Sequence, residues 1–330
     1  MAQPEIDGGL IGGAALKANV NADEAENEIL TIRQGASVRI SENYAQNGIR
    51  YELNMQKSDY EDLKESNPNV VFGMFIAPAD YETLYASLTE ENLTGENAQY
   101  GWAEKLEDGT YGKYIGTKTQ IINLVTDEMD EKDGAMVWYA SLVNLLRGEN
   151  GGTDNRNREF IGIGYMKVGD VYTFAARNDN VRSMTYVAQQ AREKDTKLTE
   201  TQKTALYENY IKDFVNTDVS YTVNYVYDNG LTKTTETKTQ KAKLDSEIVV
   251  TPEESVAQDG FVYSTAETQL KSTAYANGKT QFTVHYKQSP EYEINFKNAT
   301  VKDNKITDEN FIAQSTGSNA STLAASEDGL

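Results

Sequence analysis

The chain has no cysteine, a single histidine, five prolines and two tryptophans in 330 residues. Each shortage closes off some chemistry. Without cysteine there is no disulfide, no thiolate nucleophile and no cysteine-based zinc site. With His285 as the lone histidine, a two-histidine metal site is excluded, and a His-based triad is not expected because His285 reads as an exposed strand residue. No segment approaches the roughly 20 apolar residues that span a bilayer. The opening MAQPEIDGGLIGGAAL has neither a basic stretch nor a full apolar core, so it does not read as a signal peptide. Its GLIGG follows no strand and precedes no capped helix, which removes a phosphate-cradling loop. The close, NASTLAASEDGL, carries no anchor. Both ends are expected to be cut points in a longer parent.

Charge of one sign is abundant. Acidic residues number 51 and basic residues 31, so 31 − 51 gives −20. Such a field repels phosphate backbones and anionic lipid, and it predicts neither nucleic acid nor membrane insertion as a partner. Apolar residues at 38%, with 10% aromatic, suffice for packed cores. The length predicts two or three domains.

Along the chain, residues 1–30 are Gly/Ala/Asn/Glu-rich and read as a linker. Ser37 to Ile40 and Gly48 to Met55 read as strands. Ser58 with Glu61 reads as a capping box for a short helix that includes Tyr60 and Leu63. The apolar run Val70 to Pro78 predicts a buried strand. Asp80 caps a helix with a stripe of Tyr81, Leu84, Tyr85 and Leu88. Thr119 to Val125 is a strand; Met136 to Leu146 suits a strand or a helix. Phe160 to Val168 and Val171 to Ala176 flank Gly169-Asp170 as a hairpin. Two helices follow, one with Met184, Val187, Ala188 and Ala191 on one face. The other opens at Thr199 and Gln202 and carries Tyr207, Tyr210, Ile211 and Phe214.

After Thr217 the period becomes two. Val219, Tyr221, Val223, Tyr225 and Tyr227 alternate with mostly polar residues, a turn follows at Asp228-Asn229-Gly230, and a Thr/Lys strand then returns as a protected edge. Asn277-Gly278 marks a second hairpin leading into Phe282, Val284 and Tyr286. Tyr292, Ile294 and Phe296 begin a third β segment.

Three blocks carry a resemblance: GASVRISENYAQNGIRYELNM (Gly35 to Met55), FGMFIAPADY (Phe72 to Tyr81) and REFIGIGYMKVGDVYTFAARNDNVRSMTYVAQQA (Arg158 to Ala191). They resemble a module of large secreted and wall-attached proteins of gut Firmicutes, with Tyr51 where that module usually has Phe. The module has no assigned activity, so the resemblance implies no catalytic residue. YTVNYVYDNG (Tyr221 to Gly230), Thr251-Pro252 and TQFTVHYK (Thr280 to Lys287) look like the mucin-binding-protein-like or internalin B-repeat-like β-grasp units of Gram-positive surface proteins. That likeness implies a stalk or adhesion role.

Candidate sites are few. His285 has polar neighbours on its face and reads as an exposed strand residue. Asp127, Asp130 and Asp133 lack the spacing of an EF-hand loop, and Asp154 to Glu159 is a second oxygen-rich loop. Both read as solvated, with calcium as the alternative and otherwise no cofactor. Arg50, Arg158 and Arg182 flank apolar elements and are expected to pair with acids such as Glu52 or Glu159, or to cap carbonyls. Trp138 reads as core. Tyr100 and Trp102, in a polar Gly-containing loop, are the ligand-binding candidates, since a ring with a polar handle suits a sugar face.

The expected fold is an α+β N-terminal domain followed by an all-β or β-grasp-like repeat and a short β segment. Its boundaries are 1–30 linker, 31–217 surface module, 218–288 repeat, and 289–330 the start of a further β domain or a tail. The expected function is a non-catalytic, monomeric, extracellular module of a cell-wall-attached protein, in adhesion or ligand presentation toward host glycan or glycoprotein. A stalk spacer without ligand and an accessory region of a glycoside hydrolase are the alternatives.

Overall fold

Among the described residues strands far outweigh helices. The computed structural model describes residues 29–43, 46–79, 93–94, 102–105, 111–115, 121–126, 129–145, 154–176, 178–252, 258–264, 270–289, 292–302 and 305–317. Contacts divide the chain into two units. The first is Met1–Val219 with Lys243–Asp245 and Tyr275–Asn277; the second is Ser220–Ala242, Ser246–Ala274 and Gly278–Leu330.

In the first unit, β1 (Leu30–Ile32), β2 (Ser37–Arg39) and β3 (Gly48–Gln56) precede α1 (Lys57–Ser66). Then come β4 (Val71–Pro78), β5 (Trp102–Lys105), β6 (Tyr111–Ile115), β7 (Ile122–Thr126), β8 (Met129–Lys132), β9 (Ala135–Val143), β10 (Glu159–Val168), β11 (Val171–Phe174) and β12 (Arg182–Ser183). Helices α2 (Met184–Lys194) and α3 (Glu200–Leu206) follow. One five-stranded sheet runs β1-β3-β9-β8 with β2 also on β3, and another runs β11-β10-β4-β7 with β12 on β10. The pairs are antiparallel. Strands β5 and β6 pair with each other.

The two sheets pack through β3 and β10, and glycine sets how closely. A Cβ at Gly162 would lie 2.9 Å from the Tyr51 ring and 2.7 Å from Met74 Sδ, and one at Gly164 would lie 2.3 Å from Leu53 Cδ1. Only a residue without Cβ lets Tyr51 and Leu53 enter that far. The Tyr51 hydroxyl then donates to the Phe160 carbonyl at 2.8 Å. At another place in this core, Phe72 stacks on Trp138 with centroids 3.8 Å apart, and Tyr60 of α1 meets Trp138 edge-on at 5.5 Å. Strand β4 is buried on both faces, which is why Val70 to Pro78 reads as one apolar run rather than an alternation. Its other face joins Phe75 and Ala77 to Ile161, Ile163 and Tyr165, with Tyr172 and Phe174 packed against them.

Helix α2 buries Met184, Val187, Ala188 and Ala191, and the Ser183 hydroxyl caps it by accepting from the Tyr186 N–H. Thr199 and Gln202 form the expected reciprocal cap on α3. Beyond α3 the chain passes through a π-helical turn, Tyr207–Ile211, that buries Tyr210 and Ile211.

In the second unit, β13 (Asp218–Asp228), β14 (Lys233–Lys243), β15 (Glu247–Val250), β16 (Phe261–Tyr263), β17 (Leu270–Thr273) and β18 (Thr280–Gln288) precede β19 (Tyr292–Lys302) and β20 (Lys305–Gly317). A four-stranded sheet runs β14-β13-β18-β16, and β15-β17 and β19-β20 are separate two-stranded sheets. Strands β13 and β18 are parallel.

The expected fold class is therefore corrected. The chain is mostly β with several sheets, not an α+β domain followed by a β-grasp repeat. Two physical reasons stand out. Met136 to Leu146, ambiguous by length, becomes strand β9 because its backbone is claimed from both sides, by β3 and β8. Between the parallel strands of the second unit, EIVV at Glu247–Val250 alternates exposed and buried and pairs with β17, so the described crossover is sheet rather than helix. Two smaller readings also change. Ser58 lies inside α1, whose N-cap is Gln56 without a side-chain cap; the Lys57 N–H is satisfied by the Gly134 carbonyl at 3.0 Å. Asn277 does take a left-handed turn conformation, φ 59°, but β18 beyond it pairs with β13 and β16 instead of closing a hairpin. The helix expected at Asp80 to Leu88 lies outside the described residues.

The inner face of the four-stranded sheet is aromatic. Tyr221, Val223, Tyr225, Tyr227, Phe282, Val284 and Tyr286 are buried on it, and Tyr227 stacks on Tyr286 at 5.1 Å. The Tyr286 hydroxyl is buried without a hydrogen-bond partner. An unmade bond there costs about 1–3 kcal/mol, so Tyr286→Phe is expected to stabilise this unit by about 1 kcal/mol. Equilibrium unfolding in denaturant at pH 7 reads it. Burial also pushes the Tyr286 phenol up to about 12, against an ordinary value of about 10. Below about pH 10 both folded and unfolded states keep the proton; above it only the unfolded state loses it. This contribution to stability therefore falls as pH rises from about 10 to 12, and Tyr286→Phe is expected to make that fall shallower.

Candidate functional site

Alternation that buries the tyrosines of β13 turns Ser220, Thr222, Asn224, Val226 and Asp228 to the opposite face. Strand β18 does the same with Gln281, Thr283, His285 and Lys287, all exposed. Parallel pairing sets them in rows: Thr222 beside Gln281, Asn224 beside Thr283, Val226 beside His285, Asp228 beside Lys287. Strand β14 completes the face. The Thr237 hydroxyl donates to Asn224 Oδ1 at 2.8 Å, and Lys233 Nζ stands 3.1 Å from the Asp228 carboxylate. Period two then places Thr235, Thr239 and Lys241 on the same side. Nearly every residue of β14 is exposed.

The result is a field of hydroxyls and amides edged by amines. Three lysines (Lys233, Lys241, Lys287) against one acid (Asp228) give 3 − 1, or +2, in a chain of −20. Neither Lys241 nor Lys287 is ion-paired among the described residues. Lys233 is held by Asp228, whose carboxyl lies below the usual carboxylate range. The Gly230 N–H is the chief cause, then Lys233, with His285 nearby a lesser one. The turn is fixed locally: Asp228 Oδ1 accepts from Gly230 N at 2.8 Å, and Asn229 Oδ1 accepts from Leu231 N at 2.9 Å and Thr232 N at 2.7 Å. Such side chains donate and accept hydrogen bonds together, which suits a polyhydroxylated ligand.

Ser264 Oγ donates to the His285 backbone carbonyl at 3.0 Å.

Tyr100, the first ligand-binding candidate, lies outside the described residues. Trp102 opens β5, opposite Ile115 of β6. Trp138 is core. Arg50 lies over the Tyr139 ring at 5.1 Å and Arg158 over Phe160 at 5.9 Å. Arg182 pairs with Asp179 at 3.0 Å. Glu52 pairs with Arg33 at 3.1 Å. Asp130 and Asp133 belong to the β8–β9 hairpin, whose turn has positive φ at Asp133 and Gly134; Asp127 lies outside the described residues. Among the described residues no three His, Cys, Asp or Glu side chains gather closely enough to hold a metal ion.

Sequence reasoning passed over Arg156. Its side chain, 4% exposed, bonds Asp154 at 2.7 Å and Asp213 at 2.8 Å, reaches the Asn209 carbonyl at 2.8 Å and lies over Phe214 at 4.9 Å. It ties the 154–159 loop to the turn after α3. Bonding to Asp154, its largest influence, holds the guanidinium proton more firmly still. The one available signal was Asp154 two residues before it. No helix among the described residues is long and apolar enough to cross a membrane.

No protein-family model matches the chain, and no curated protein is similar to it.

Proposed function

We propose that the chain is a non-catalytic binding module of a bacterial cell-surface protein, exposed outside the cell and engaging host glycan or glycoprotein in adhesion or ligand presentation. The observation that carries the reading is the outer face of the β14-β13-β18 sheet. It gathers Thr222, Asn224, Thr235, Thr237, Thr239, Gln281 and Thr283 on one solvent-facing surface. Thr and Lys in alternation along β14 also blunt the edge against strand-to-strand aggregation, which favours a protein that lives exposed. The arginines described above are engaged in pairing, capping or ring contacts, which favours a structural role for them over a catalytic one.

The test is an array of mucin-type glycans and polysaccharides probed with the intact chain. Specific, saturable binding to a subset of glycans is expected. An array with no signal above background overturns the reading in favour of a spacer.

A further inference from the structure

Resting on that binding reading, we propose that the outer face of the β14-β13-β18 sheet takes an acidic polysaccharide, a linear glycan bearing carboxylate or sulfate groups. Lys241 engages it at one end and Lys233 and Lys287 at the other, with the hydroxyl and amide rows holding the sugar between them.

A chain of −20 should present acidic faces, yet this one is +2 and its free amines stand at opposite corners. Lys241 lies beyond the Thr222–Thr239 end of the face. Lys287 closes the Asp228 end, beside Val262 of β16. Eight residues separate Ser220 from Asp228, so the face runs about 26 Å at ~3.3 Å per residue. The Debye length is about 8 Å at physiological ionic strength. A ligand lying on this face therefore feels its lysines far more than the distant acids, and the net charge of the whole chain does not decide the contact.

The rows decide between polyanions. Nucleic acid recognition draws on arginine forks and on aromatic platforms for base stacking. Among the residues that β13, β14 and β18 turn outward there is no arginine, and every tyrosine of β13 and β18 is turned to the inner side. Apart from Val226, His285, Asp228 and the lysines, what remains are hydroxyl and amide side chains at strand spacing, the partners of sugar hydroxyls. The lysines serve as point charges for scattered anionic groups.

The test measures binding of the full chain to hyaluronan (carboxylate), chondroitin sulfate (carboxylate and sulfate), dextran (neutral) and a 20-base-pair DNA duplex, at 50 and 200 mM salt. The wild type is compared with Lys241→Glu/Lys287→Glu and with Lys271→Glu, which makes the same kind of charge change on the separate β15–β17 sheet. Circular dichroism confirms that each variant folds. The proposal expects at least one acidic glycan to bind, more weakly at the higher salt, and dextran and DNA to bind poorly. It expects the double variant to lose roughly tenfold or more in affinity and Lys271→Glu to change little. Equal loss in both variants, or DNA binding as tightly as the glycans, overturns it. Binding to dextran or neutral mucin glycans that ignores the double variant overturns the acidic-ligand assignment while leaving the binding reading intact. Binding to none of the glycans, neutral or acidic, removes both.

Discussion

Tyr51→Ala is expected to cost the first unit about 4 kcal/mol, and Tyr51→Phe about 1 kcal/mol. Tyr51 is fully buried and fills the gap that Gly162 leaves between the sheets. Truncation removes the ring and opens a cavity that neighbours with this little room to move close only in part. Glycine supplies no side chain to collapse into the space, and Met74 Sδ already stands where a Cβ at Gly162 would go. Removing the hydroxyl alone deletes one hydrogen bond, to Phe160 O, and keeps the packing. Burial pushes this phenol well above the usual tyrosine range, so it is a neutral donor at any working pH. Denaturant midpoints at pH 7 separate the two variants. Equal costs would mean that the hydrogen bond, not the fit between sheets, dominates the site.

Arg156→Ala is the second large effect, about 3 kcal/mol. Removing one partner of a buried pair typically costs 3–5 kcal/mol, and the lower end applies here. Asp154 and Asp213 are 32% and 48% exposed, so water solvates them once the guanidinium is gone. The Asn209 carbonyl and the Phe214 ring also lose their cation. Arg156→Lys restores the charge but not the fork that bonds Asp154 through both Nε and Nη2, and it is expected to recover less than half of the loss. Hydrogen exchange on 205–214 should rise in both variants. Protection unchanged in Arg156→Ala would show that the π-helical turn holds without this clamp.

Local signals carried much of the architecture. The β10–β11 hairpin was legible because Gly169-Asp170 sits between two strand-forming runs. Helix α2 was legible from four apolar residues on one face, and α3 from Thr199 and Gln202. The inner tyrosines of β13 were legible from period two alone. What failed did so where a distant partner decided. Ser58 looked like a cap, but Gly134, far along the chain, satisfies the first N–H of α1. Met136 to Leu146 became a strand because distant β3 pairs with it on one side while neighbouring β8 folds back on it from the other. Asn277-Gly278 turned as expected, yet parallel pairing to β13 took the following strand elsewhere. The fold class was misjudged for the same reason: pairing between strands far apart in sequence leaves no mark on a single window.

The site was less legible than the fold. The Thr/Lys run of β14 read as a protected edge, and His285 as an exposed strand residue. Nothing in either stretch announces that Thr237 meets Asn224 or that His285 lies beside Val226. The face exists only once β14, β13 and β18 are in register. Aromatic residues in a polar loop drew attention to Tyr100 and Trp102 instead, because a ring is conspicuous in a sequence and a plane of threonines is not.

The most direct measurement is to bind an acidic polysaccharide to the intact chain, release it with salt, and size it against untreated material. The account predicts salt-released glycan of unchanged length with no new reducing ends. Glycan that comes back shortened, or that never binds, would contradict it.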